Sequence, residues 1–352
     1  TPCFPGDAPS SPVPAHESVI APTASTLSWN DTPTRKVVYG DDNRLDVFQV
    51  GDPEILAAYE STVVLVRPDR IEENGDGTWT LENDPWVTQE GMPICEDEPF
   101  RGQPNPGFCS GFLVGPDLVV TAGHCIVGEI SCADSVFVFG FGMNGPDDPI
   151  LTVPDANVYF CAEILDRAFG GEDRSDWALI RLDRPVEGRD PLRIRRNGKL
   201  GDGDDLLMIG YPSGLPAKIA GGAHVRSNTE SAYFVANTDS SGGNSGSVVL
   251  NAETLKVEGI LVRGEIDFEN VGGCRASKEC PDDGCRGEDV TRISEVSGLI
   301  PFLERYDVYF GECGHLEFVG TSEDTSWPIN CLKENTSYCW RVDAVNDCST
   351  TQ

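Results

Sequence analysis

Ser245 lies in the run Asn237-Thr-Asp-Ser-Ser-Gly-Gly-Asn-Ser-Gly-Ser247, which sets one hydroxyl among backbone stripped of side chains. A serine hydroxyl is a weak nucleophile at neutral pH. To attack a carbonyl it needs a base to take its proton and donors to hold the oxyanion that forms. Gly242, Gly243 and Gly246 allow a tight turn in which the amides of Gly243 and Ser245 could point at one spot. The same composition also suits a flexible linker, so the reading turns on whether a base and an acid lie elsewhere in the chain.

The search is short, because there are four histidines. His16 lies in a proline-rich leader and His315 in a cysteine-rich tail, which leaves His124 and His224. His124 sits in Val119-Val-Thr-Ala-Gly-His-Cys125, an apolar strand that breaks at Ala-Gly, and Cys109 precedes it in Phe108-Cys-Ser-Gly-Phe-Leu-Val114. A hairpin closed by a Cys109–Cys125 disulfide would fix the imidazole at a strand end. His224, in Gly-Gly-Ala-His, has no such frame. The acid follows in Arg174-Ser-Asp-Trp-Ala-Leu-Ile-Arg-Leu182, where Asp176 opens a strand. An aspartate there is usually a turn cap, but its place in the order His, Asp, Ser favours a functional role.

Together these segments resemble the chymotrypsin-like serine peptidases, and Gly-Gly-Asn-Ser-Gly-Ser resembles their bacterial glutamyl-endopeptidase branch. The resemblance covers roughly residues 37 to 304. It implies an all-β fold of two six-stranded antiparallel barrels closed by a C-terminal helix. His124 and Asp176 would come from the first barrel and Ser245 from the second. It also implies that His124 acts as general base then acid, Asp176 fixes its tautomer, and the Gly243 and Ser245 amides form the oxyanion hole. Asp239, Ser240 and the strand end Leu261-Val-Arg-Gly264 would bind substrate. No metal or cofactor is implied.

Specificity is read from the same template. Asp239, six residues before Ser245, holds the position that floors the primary pocket of trypsin-like peptidases, and a buried carboxylate there favours Arg or Lys in the substrate. Glutamyl peptidases use a histidine where this chain has Leu261, so acidic specificity lacks its main support. Arg263 could reach the cleft and neutralise Asp239. Two alternatives stand beside the basic preference: a glutamyl endopeptidase, and a non-catalytic homologue that binds through its cleft. An α/β-hydrolase is disfavoured, since the order Ser, Asp, His is not followed.

Composition bounds the setting. The 352 residues carry 26 basic and 58 acidic side chains, a net charge of −32, which repels nucleic acid and anionic membranes. No apolar stretch is long enough to cross a bilayer. With 38 Gly and 25 Pro, short strands joined by turns are expected. Thirteen cysteines without paired zinc knuckles favour disulfides and an exported, extracellular protein whose signal was removed before Thr1. A monomer acting on protein or peptide substrates is expected.

Three regions are expected. Residues 1–36, rich in Pro, Ser and Thr, read as a leader or propeptide. Cleavage after the dibasic Arg35-Lys36 would free Val37, as in a zymogen, although Asn244 stands where the chymotrypsin-type activation pair has an aspartate. Residues 37–304 are the peptidase domain. Within it a helix is expected near Pro53–Tyr59, a hairpin over Arg70–Trp79 in preference to a calcium loop, and a contact between Cys132 and Cys161. A cysteine-bearing insert is expected over 268–290 and a helix over Ile293–Leu303. Residues 305–352 read as a cysteine-rich, partial fibronectin type III-like segment. Asn30 and Asn335 open glycosylation sequons.

Overall fold

The computed structural model describes residues 38–345 other than 90, 171–173, 303–304, 323–331 and 333–335. The expected leader, Cys3, Cys331, Cys348 and both sequon asparagines lie outside the described residues. The described residues form two compact units, one within Pro33–Pro301 and one within Phe302–Gln352.

The larger unit is all-β. Its first barrel uses β1 (Thr62–Val66), β2 (Gly107–Gly115), β3 (Leu118–Thr121), β4 (Val136–Phe139), β5 (Val158–Phe169) and β6 (Asp176–Leu182). Every pairing is antiparallel, and β4 against β1 closes the ring. These strands are runs of Val, Leu, Ile and Phe, and β1, β3 and β4 are buried throughout. The second barrel uses β7 (Asp205–Gly210), β8 (Lys218–Ser227), β9 (Tyr233–Ala236), β10 (Val248–Asn251), β11 (Val257–Arg263) and β12 (Glu288–Arg292). Its ring runs β7-β10-β11-β12-β9-β8 and closes by β7 against β8. The stretch Arg44–Asp46 adds to the edge of β8.

Local signals account for several details. Helix α1 (Pro53–Glu60) starts where Asp52 caps the amides of Glu54 and Ile55 and proline occupies the first turn. Ile71–Glu73 and Thr78–Leu81 form the expected hairpin, and Asp76 accepts from the Thr78 amide and hydroxyl inside the turn. Cys132 and Cys161 are bonded to each other, as are Cys95 with Cys274 and Cys280 with Cys285. Within the expected insert, Phe268–Val271 and Cys274–Ser277 make a hairpin.

The expected closing helix over Ile293–Leu303 is not formed. Only a 3₁₀ turn, Ile293–Glu295, is present, followed by further turns. Ile293, Val296 and Ile300 are buried as their spacing suggests, but Leu299 is exposed. Pro301 has no N–H and drives Ile300 away from helical geometry, and Arg196 takes the carbonyls of Ser297, Ile300 and Pro301.

In the smaller unit Arg305–Glu312 is the central strand of a three-stranded antiparallel sheet, flanked by Glu317–Ser322 and Tyr338–Val345. Cys313 and Cys339 are bonded within it.

Candidate active site

His124 and Asp176 leave the same end of two paired strands. The register sets Thr121 of β3 opposite Ala178 of β6, so three residues onward on one strand and two back on the other arrive side by side. Asp176 is 2% exposed and grips its neighbour twice: Oδ1 accepts from the His124 amide at 3.0 Å, and Oδ2 lies 2.8 Å from Nδ1. A carboxylate only accepts, so Nδ1 carries the hydrogen and Nε2 is left as the acceptor. The His124 side chain is 31% exposed. Behind it, Cys125 is joined to Cys109 of β2, with sulfurs bonded across a sequence separation of 16.

Ser245 comes from the second barrel, in the turn before β10. Val248 of β10 pairs with Ile260 of β11, which carries the turn back along β11, and Ser245 Oγ sits 3.5 Å from the Val262 carbonyl. The Ser245 carbonyl crosses to the first barrel: it accepts from the Ser110 amide at 2.8 Å and lies 3.7 Å from the sulfur of Cys125, the residue after His124. The Ser245 turn and the His124 turn are therefore in direct contact.

Among the described residues, neither the Gly243 nor the Ser245 N–H donates to any group. The Gly242 carbonyl accepts from the Ser213 amide at 2.7 Å, and in a trans peptide this turns the Gly243 N–H the opposite way. Gly243 has φ +89°, and a Cβ there would press on the Ser213–Gly214 backbone, so a glycine is required. Asn244 is fully buried and satisfied internally, bonding Ser240 Oγ at 3.1 Å and Ser247 Oγ at 2.7 Å.

The expected substrate-binding residues separate into distinct roles. Asp239 is buried, and its oxygens accept from the Tyr39 amide at 2.9 Å and the Asn43 amide at 2.8 Å. The buried Arg44 guanidinium also faces it, along with Glu98 and Asp267; desolvation lowers the pKa of Arg44, and these acids oppose that fall. Leu261 is tied to the Ser245 turn by Gly246 N–H to its carbonyl and by its own N–H to the Ser247 carbonyl. Arg263 does not neutralise Asp239. Its Nε lies 3.0 Å from Asp289 Oδ2, Nη2 donates to the Arg174 carbonyl, and Nη1 is 3.7 Å from Asp176 Oδ2. Asp289 is 2% exposed at its side chain and draws Arg174 and Arg286 as well, because a carboxylate that deep in the protein needs partners.

Two acidic residues near the end of β11 escaped sequence reasoning. Asp267 accepts from the Gly242 amide at 2.6 Å. Glu288, the first residue of β12, is 4% exposed and accepts at Oε1 from the Tyr39 hydroxyl and the Glu265 amide, both at 3.1 Å. Burial raises its pKa to about 7 and Asp267 adds to the rise, against the hydrogen bonds from Glu265 and Tyr39 and the field of Arg286. The only sequence signal for it was a charged pair, Glu288-Asp289, ahead of Val290-Thr-Arg-Ile293.

The one clustering of possible metal ligands among the described residues is Cys109, His124 and Cys125, and both sulfurs are spent in the disulfide.

Residues 109–260 match the family model of the trypsin-like peptidase domain. The match runs from within β2 to within β11 and includes His124, Asp176 and Ser245. With the two closed barrels, this trypsin-like match fits a chymotrypsin-like serine peptidase. No curated protein matches the chain.

Proposed function

We propose that the protein is a serine endopeptidase that works through an acyl-enzyme. His124 takes the Ser245 proton, Asp176 holds the imidazole and stabilises its charged form, and the Gly243 and Ser245 amides receive the oxyanion. The observation that carries this reading is the paired grip of Asp176 on His124 in a turn that touches the Ser245 backbone. The two unspent amides beside Ser245 support it, and so does the trypsin-like match. A peptidase acts on protein or peptide substrates. Cleavage after Arg or Lys is the specificity we favour, because buried carboxylates surround the cleft strand and the histidine of the glutamyl branch is replaced by Leu261. The disulfides are compatible with an extracellular site of action. We assign residues 37–304 to the peptidase, 1–36 to a leader or propeptide, and 305–352 to an appended β segment.

The test is Ser245→Ala. The wild type should be labelled by a fluorophosphonate and should cleave peptides; the variant should do neither while keeping its circular dichroism spectrum. Labelling that survives the substitution would point to another nucleophile.

A further inference from the structure

Asp239 is poorly placed to receive a substrate charge. Each of its oxygens is already held by an amide of the amino-terminal segment, and the buried Arg44 guanidinium faces it. A carboxylate so occupied would have to give up partners to bind another cation.

Glu288 is placed differently. Val262 O lies beside Ser245 Oγ, and Gly264 follows two residues later, roughly 7 Å along extended backbone. That is about the reach of a lysine or arginine side chain. At Gly264 the bare Cα abuts the Glu288 carboxylate, and a Cβ there would fall on its Oε2. Glycine therefore opens the strand to this carboxylate. Oε1 is engaged by Tyr39 and Glu265, whereas Oε2 accepts no hydrogen bond from any described residue. A buried acid with one satisfied and one free oxygen, a side chain's length from the nucleophile, has the form of a receptor for a single cation.

We infer that Glu288, rather than Asp239, is the specificity-determining residue that receives a Lys or Arg side chain of the substrate. This rests on the serine peptidase reading. The Tyr39 hydroxyl holds the carboxylate in place, and Asp239 in turn holds the Tyr39 backbone, so Asp239 is a positioning residue two contacts away from the substrate.

The assignment also makes the preference for a basic side chain depend on pH. The groups facing Glu288 are the Tyr39 hydroxyl, with Arg226 over that ring, Asp267, Arg286, and Glu265 paired to Lys278. Burial and Asp267, against the hydrogen bonds from the Glu265 amide and Tyr39 and the field of Arg286, leave Glu288 titrating near pH 7. Ionisation above that point supplies the charge that a lysine needs.

The test compares kcat/KM for two peptides that differ only in lysine against acetyl-lysine before the scissile bond, from pH 5.5 to 8.5. The ratio cancels any pH dependence of the chemical step itself, which both substrates share. In the wild type the ratio should exceed one and rise through about pH 7. In Glu288→Gln it should fall by roughly tenfold or more and lose its pH dependence. Fluorophosphonate labelling reports that the nucleophile is assembled in each variant. Tyr39→Phe, which keeps the carboxylate but removes a bond that favours its charged form, should move the midpoint to higher pH. A ratio near one in the wild type, or one preserved in Glu288→Gln, overturns the assignment, as does a ratio lost in Asp239→Asn while Glu288→Gln retains it. No turnover of either peptide, at any pH, would instead sink the peptidase reading itself, and this assignment with it.

Discussion

Asp176 uses both oxygens on one residue, and that sets what its loss should do. In Asp176→Asn one of the two acceptors becomes an NH₂ donor. If the amide nitrogen takes the place of Oδ2, it faces the Nδ1 hydrogen, so the ring is pushed toward the tautomer whose Nε2 carries the hydrogen and cannot accept from Ser245. The expected outcome is a fall in kcat of roughly 10³- to 10⁴-fold with little change in KM. Steady-state kinetics with a single peptide checks it. A loss that appears mainly in KM would place Asp176 in substrate binding instead.

Elements decide how well such residues are aimed. β2 and β3 carry the histidine turn, and the Cys109–Cys125 bond ties its far side to the strand from which it came. Closing a loop of this length stabilises the fold by about 3 kcal/mol. Replacing both cysteines by serine should lower stability by about that much in urea denaturation, and should reduce kcat further than destabilisation alone explains, since His124 loses its brace. The strands themselves were largely legible, because runs such as Thr62–Val66 and Val136–Phe139 are apolar over a strand's length and bounded by turn residues. The segments proposed to carry the triad stand out in the sequence because each pairs a chemical side chain with a local break. Ile293–Leu303 was misleading for a physical reason: its apolar spacing is helical, but Pro301 has no N–H to donate and the Arg196 guanidinium takes the carbonyls of Ser297, Ile300 and Pro301. Arg263 and Glu288 were not legible in their roles. Their partners Asp289 and Gly264 are set by strand register, and register is fixed only when the barrel closes.

At the scale of the whole molecule, Glu288 links the site to stability. Its folded pKa, about 7, lies above the ordinary carboxylate value, so between those values the native state binds more protons than the unfolded chain. The contribution is fully present below about pH 4.5 and lost as pH rises through 7. Over that window wild-type stability should fall relative to Glu288→Gln by about 3 kcal/mol, read as the difference between their urea denaturation curves at each pH. Taking the difference removes the repulsion within a chain of net charge −32, which both proteins share.

The Cys95–Cys274 bond spans 179 residues, joining a loop that precedes β2 to the hairpin that precedes β12. The irregular stretch between β6 and β7 is thus not the sole covalent route from one barrel to the other. A single nick in that stretch would leave a two-chain product that migrates as one species until a reductant separates its halves, so a clipped molecule keeps its barrels tethered.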